Sequence, residues 1–210
     1  RYYDQDIFTG AGLNIRAKIR AADELPTQTE RIRKLADVIK GFRNPDKETV
    51  LTPWRIVNQQ VGRTLGGLVF FGKEYIYPLH DGEDIRLANQ PYFANDCFFN
   101  PNEPQRVLEI NSKAGLYALL VCYNLYHQQI RQWMQQHHRG FIEEEHRKAL
   151  WDTVIANHLY VVTKTPMAKA ITKRTLFGYR NVEHHNIITI ENLTDLTTDE
   201  VIEQLRTSFG

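Results

Sequence analysis

No run in this chain approaches the roughly 20 uninterrupted apolar residues that cross a bilayer, and Arg1 to Asp6 hold no hydrophobic signal core. These absences predict no membrane span and a cytoplasmic protein. Cysteine is equally scarce. Cys97 and Cys122 are the only two among 210 residues, and nothing in their spacing suggests a redox pair, a zinc ligand set or a secreted disulfide framework; both are expected to be reduced and buried. A formal net charge of +1 excludes the strongly basic nucleic-acid-binding class, whose domains often exceed a pI of about 9. Neither phosphate-binding glycine motif occurs: there is no G-x-G-x-x-G and no G-x-x-x-x-G-K-[ST], which argues against dinucleotide and nucleoside-triphosphate sites of those kinds.

What is present is 42% hydrophobic and 24% charged residues, enough to bury the core of one ordinary α/β domain. Asn14 to Ala22 and Pro26 to Lys40 carry apolar residues at helical spacing and predict two short amphipathic helices. After the turn Asn44-Pro45-Asp46, Thr52 is placed to cap and Pro53 to open a helix running to Leu65. Gly66-Gly67 stops it; Leu68 to Tyr77 reads as a hairpin or irregular arm, and Asp81 to Pro104 as loop.

From Arg106 onward strands and helices alternate. Arg106 to Ile110 predicts a strand, Asn111 to Gly115 a turn, and Leu116 to Gln135, which lacks glycine and proline, a long helix. A helix around Glu143 to Asn157, a strand over His158 to Thr163, a helix over Pro166 to Thr175 and a strand over Ile187 to Ile190 follow. Such alternation predicts a parallel sheet. A helical preface, residues 1–50, would precede the nucleotide-binding core, residues 51–210.

The turn after the first strand is the leading candidate site, because a loop at the carboxyl end of a parallel strand brings a ligand against backbone amides and a helix N-terminus. Glu109 could accept hydrogen bonds from a ligand amine or hydroxyl, and Gly115 could let backbone approach a ligand closely; a purely structural turn is the other reading. From Lys164 to Arg180 there are five basic residues and no acidic one, which reads either as a solvated helix face or as a phosphate-contacting surface.

The segments TPWRIVN (Thr52 to Asn58), VLEINSKAGLYALLV (Val107 to Val121) and LYVVTKTPMAKAITKRTLFG (Leu159 to Gly178), together with IFTGAGLNIR and FRNPDKETVLTPW, resemble blocks of the N6-adenine DNA methyltransferases of restriction-modification systems. The similarity runs through most of the chain. It implies a Rossmann-like S-adenosylmethionine-dependent methyltransferase core, and S-adenosylmethionine as cofactor. Thr52 and Pro53 would contact its methionine moiety, Glu109, Asn111, Ser112, Lys113, Ala114 and Gly115 would form the main cofactor loop, and Glu191 and Asn192 would approach its adenine. Duplex DNA would be the substrate, with Lys169, Lys173 and Arg174 on its phosphates, alongside fused or associated nuclease or helicase parts.

The chain departs from that family in three places. Ser112, Lys113 and Ala114 stand where the loop is usually richer in glycine, Thr163-Lys164-Thr165 lacks the acid that commonly grips the ribose, and no Asn/Asp-Pro-Pro-Tyr/Phe motif occurs. That motif accepts hydrogen bonds from the target amine and stacks on the flipped base, so no catalytic residue is assigned and the chain is expected to be the inactive cofactor-binding part of the enzyme, cut off before the catalytic motif. The alternative is a non-enzymatic DNA-binding module of such a system with a degenerate cofactor loop.

Four other patterns are read as structural. Asn89-Gln90-Pro91-Tyr92 reads as a surface turn, with a permuted catalytic motif as its alternative. His137-His138 and His184-His185 are adjacent pairs whose side chains diverge, so solvated histidines are expected and no metal site. Pro45-Asp46-Lys47-Glu48 resembles the start of a nuclease site but lacks a partner acid and lysine. Tyr117, Tyr123, Tyr126 and Trp133 at helical spacing read as core rather than as a base-stacking surface.

Overall fold

The computed structural model describes residues 5–40, 52–65 and 105–210, a mixed α/β arrangement with seven helices and three parallel strands among them. In chain order these are α1 (Gln5–Asp23), α2 (Gln28–Lys40), α3 (Trp54–Thr64), β1 (Val107–Ser112), α4 (Leu116–Gln136), α5 (Glu144–His158), β2 (Leu159–Thr163), α6 (Pro166–Phe177), β3 (Asn186–Thr189) and α7 (Thr198–Phe209). The strands lie in the order β1-β2-β3, with Val107 opposite Leu159 and Val161 opposite Ile187. Among the described residues no helix is long and apolar enough to cross a membrane.

Local chemistry accounts for the element ends. Thr165 accepts a hydrogen bond from the Ala168 amide and Pro166 occupies the first turn of α6, the expected N-terminal signature. At the other end Gly178 turns the chain at φ +64°, and a Cβ there would collide with the Asp23 carboxylate. A further helix, α7, is announced by Thr197-Thr198-Asp199-Glu200: the Thr197 hydroxyl accepts from the Glu200 amide while the Glu200 carboxylate accepts from the Thr197 amide. This reciprocal capping box was legible as Thr-x-x-Glu.

At α3 the expectation is corrected. Pro53 itself is the N-cap, in an extended conformation, and no side chain caps the helix; Thr52 therefore does not serve as the cap. α1 also begins earlier than its amphipathic stretch, running through Gly10 and Gly12. The stretches 41–51 and 66–104 lie outside the described residues, and with them the Leu68 to Tyr77 arm, the Asp81 to Pro104 loop, Pro45 to Glu48, Asn89 to Tyr92 and Cys97. Cys122 is buried as expected, and burial pushes its thiol well up.

The first half of α4 is the centre of the core: Leu116 and every residue from Ala118 to Tyr126 are buried. Against it pack Ile32, Leu35 and Ala36 of α2, Val57 and Val61 of α3, and Trp151, Val154 and Ile155 of α5. Trp151 satisfies its indole N–H on the Leu176 carbonyl at 2.9 Å. Of the four aromatic residues read as core, Tyr123 and Tyr126 are buried, whereas Tyr117 and Trp133 are half-buried.

A buried charge fastens α1 and α2 to α6. Arg31, 6% exposed, donates to Asp23 Oδ1 at 2.8 Å and to the carbonyls of Thr175 and Arg174 at 3.0 and 3.3 Å. It thereby satisfies the Thr175 carbonyl, one of those that the end of a helix leaves without partners, and adds a second donor to the Arg174 carbonyl, which already accepts from the Gly178 amide. The second carboxylate oxygen of Asp23 accepts from the Tyr179 amide at 3.2 Å.

Candidate functional site

Thr52, Glu109, Ile110, Asn111, Lys113, Ala114, Gly115, Leu116 and Tyr117 line a cavity of about 230 Å³ at the carboxyl end of β1. The strand ends irregularly there. Ile110 pairs with Val162 and Ser112 with Thr163, so Asn111 is an extra residue with no opposite number, at φ +62°. Asparagine tolerates that left-handed conformation better than most residues. The bulge bends the strand end and leads into Lys113-Ala114-Gly115, where Gly115 at φ +70° opens α4.

Two side chains hold this turn closed from within. The buried Ser112 hydroxyl accepts from the Gly115 amide at 3.0 Å and lies 3.4 Å from Thr172 Oγ1. Half-buried Glu109 reaches from mid-strand to α4 and accepts from the Ala118 amide at 2.9 Å, with a further hydrogen bond from Ser112. Burial raises the Glu109 carboxyl above its ordinary range, and these two hydrogen bonds only partly offset the rise. The first two amides of α4, those of Leu116 and Tyr117, have no partner within the helix.

Gly115 has a different reason from the one its sequence position suggested. A Cβ on it would point at α6, 2.9 Å from Thr172 Cγ2 and 3.3 Å from Thr172 Cα. The glycine therefore lets α6 approach the turn, while its backbone faces the cavity. Gly115→Ala combines a positive φ with overpacking, and should cost about 2–4 kcal/mol of unfolding free energy; denaturant unfolding checks this, and Thr172→Ala should recover part of the loss.

The cavity brings together six of the ten residues expected to bind a cofactor: Thr52, Glu109, Asn111, Lys113, Ala114 and Gly115 line it, and a seventh, Ser112, supports them from beneath. Pro53, Glu191 and Asn192 are exposed and do not line it. The last two follow β3, two strands away along the same edge of the sheet.

Tyr117 is a lining residue that the sequence reading assigned to the core. Its hydroxyl donates to Gln60 Oε1 of α3, tying that helix across the mouth of the cavity, and burial followed by the nearby Glu109 raises its pKa. The signal for it was its place in the first turn after the glycine, at the helix end that must face the strand edge.

The basic residues form a separate group on α6. Lys169 and Lys173 are one helical turn apart and half-buried. Both lie near half-buried His185, whose pKa is lowered by burial first, then by Lys173, and further by Lys169. Arg174 is already engaged: it donates to the Gly178 carbonyl at 3.0 Å, and its guanidinium sits 4.3 Å from the centre of the Tyr179 ring. Arg180 forms a two-pronged pair with Asp152 at 2.7 Å. His137, His138 and His184 are exposed, and among the described residues no group of three histidine, cysteine or acidic side chains is placed to hold a metal.

Comparisons of the chain with protein-family models, with curated proteins and with solved structures find no match in any of the three.

Proposed function

We propose that this chain is the S-adenosylmethionine-binding part of a DNA adenine-N6 methyltransferase of a restriction-modification system, on a Rossmann-like sheet of which β1-β2-β3 is one half. The observation that carries the reading is the cavity at the end of β1, where a bulged strand, a glycine turn and the N-terminus of a long helix converge around one acid. In open parallel sheets, ligands bind outside the carboxyl ends of the strands.

The donor set suits the amino-acid end of such a cofactor. The open amides of Leu116 and Tyr117, with the positive end of the α4 dipole, would hold a carboxylate. Glu109 has a second carboxylate oxygen beyond the one given to Ala118 and would accept from an ammonium group. Thr52 and Tyr117 offer hydroxyls at the rim. When bound, the cofactor supplies an activated methyl group; the chain's own residues orient it and keep the turn closed.

Calorimetric titration with S-adenosylmethionine and with its demethylated product should give saturable binding of one molecule per chain. Absence of heat and of any thermal stabilisation would remove the reading. Because the sequence contains no Asn/Asp-Pro-Pro-Tyr/Phe, the chain alone should transfer no methyl group to mixed-sequence DNA.

A second reading, a DNA-contacting module without cofactor, draws on the Lys169, Lys173 and His185 group. It would show DNA binding that falls steeply with salt, by about 0.9 in log–log slope for each phosphate contacted, and that S-adenosylmethionine leaves unchanged.

A further inference from the structure

Away from the cavity, the α4 and α5 helices enclose a polar group that nothing described so far explains. His127 lies eleven residues along α4, about 16 Å of helix from the cavity rim. Its ring packs edge-on against Tyr123 and Tyr126, with centroids 4.2 and 5.3 Å away. Nε2 is buried and has no hydrogen-bond partner, and the same is true of Nε of Arg147, in the first turn of α5. Arg131 follows His127 by one helical turn and is exposed.

The charges around the ring all have one sign. Arg131 and Arg147 both act on His127, no acid does, and with burial they lower its pKa to about 4. Arg147 also acts on Tyr126, and Arg131 and Arg33 act on Tyr123. The Tyr123 hydroxyl is already engaged with Thr29 Oγ1 at 2.8 Å. A buried polar group left unpaired costs about 1–3 kcal/mol; His127 Nε2 and Arg147 Nε are two such groups, and the acid that acts on Arg147, exposed Glu144, is itself paired with Lys148.

We propose that His127, Arg131 and Arg147 form a binding site for a phosphate-type oxyanion between α4 and α5, separate from the cavity at the end of β1. The neutral imidazole would donate through Nε2–H and Arg147 through Nε–H, while exposed Arg131 closes the site from solvent. Guanidinium and imidazole donors on an anionic oxygen make the stronger, charge-assisted class of hydrogen bond. Two sources share this chemistry, free inorganic phosphate and the phosphodiester of DNA.

The test follows the His127 imidazole by NMR in the full chain, assigned with His127→Gln, through pH titrations with chloride, with inorganic phosphate and with a short mixed-sequence duplex. Bound oxyanion should raise the apparent pKa by about one unit or more, as an opposite charge within a few ångströms does. Arg131→Gln, an exposed substitution, should abolish that rise and weaken binding about tenfold without unfolding the chain. A rise with phosphate alone assigns a free anion, and a rise with duplex assigns a DNA phosphodiester. An unchanged titration under both, or a rise that survives Arg131→Gln, overturns the proposal.

Discussion

Asp23→Ala should lower the unfolding free energy by about 3 kcal/mol, the largest stability effect expected of any single substitution at a polar residue here. The reason is what it leaves behind. Arg31 would remain buried with its charge uncompensated, a situation that costs about 3–5 kcal/mol when both partners are deeply buried; Asp23, with 23% of its side chain exposed, falls at the lower end. The Tyr179 amide would lose its acceptor as well. Arg31→Met should cost less, since it removes the more deeply buried charge; it leaves the Thr175 carbonyl unmet and takes the guanidinium from Asp23, which is partly exposed and keeps the Tyr179 amide. Chemical unfolding of both variants gives the order directly, and an Arg31→Met more damaging than Asp23→Ala would contradict this account.

The second large effect separates binding from folding at Glu109. Its folded-state pKa is raised, chiefly by burial, so its ionised form costs stability that its neutral form does not. The linkage has a definite sign. Between the unfolded and folded pKa values the native state holds more protons, so stability falls as pH rises through that window. Glu109→Gln keeps an oxygen for the Ala118 amide and abolishes the charge. It should fold at neutral pH at least as well as the parent and lose the fall in stability just above the ordinary carboxylate range. Cofactor binding should respond in the opposite way. At a ligand concentration 100 times Kd the parent gains about 2.7 kcal/mol from binding, and Glu109→Gln or Glu109→Ala should lose most of it. Thermal unfolding with and without S-adenosylmethionine reads both quantities. A Glu109→Gln chain that keeps the full stabilisation would remove Glu109 from the binding surface.

Most of the fold was legible because its signals are local. The strand, turn and helix at Val107 to Gln136 follow from an apolar run, a glycine and a stretch without breakers, and the parallel sheet follows from strands separated by helices. The signal for α7 is equally local: its acidic residues sit in its first turn, where the helix dipole favours them. What the sequence could not carry was direction. Glu109 on a strand can face either way; only the packing of α4 turns it onto Ala118. Gly115 reads as a concession to a ligand until Thr172, 57 residues later in the chain, is found against it. Tyr117 and Tyr123 share one helix, yet one rims a cavity and the other is sealed under α2, a distinction that depends on where α2 and α3 lie.

One junction has an engineering consequence. His158 ends α5 and Leu159 begins β2 with no residue between them, and His158 Nδ1 is anchored to the Gln105 carbonyl at 2.9 Å, just before β1. An inserted residue at 158/159 would have no slack to occupy. Passed into β2, it would exchange the two faces of the strand, sending Val161 outward and Tyr160 inward. Splitting the chain or adding a reporter there should fail, whereas the exposed Arg139-Gly140-Phe141 bend between α4 and α5 offers a point of attachment that leaves the strand register alone.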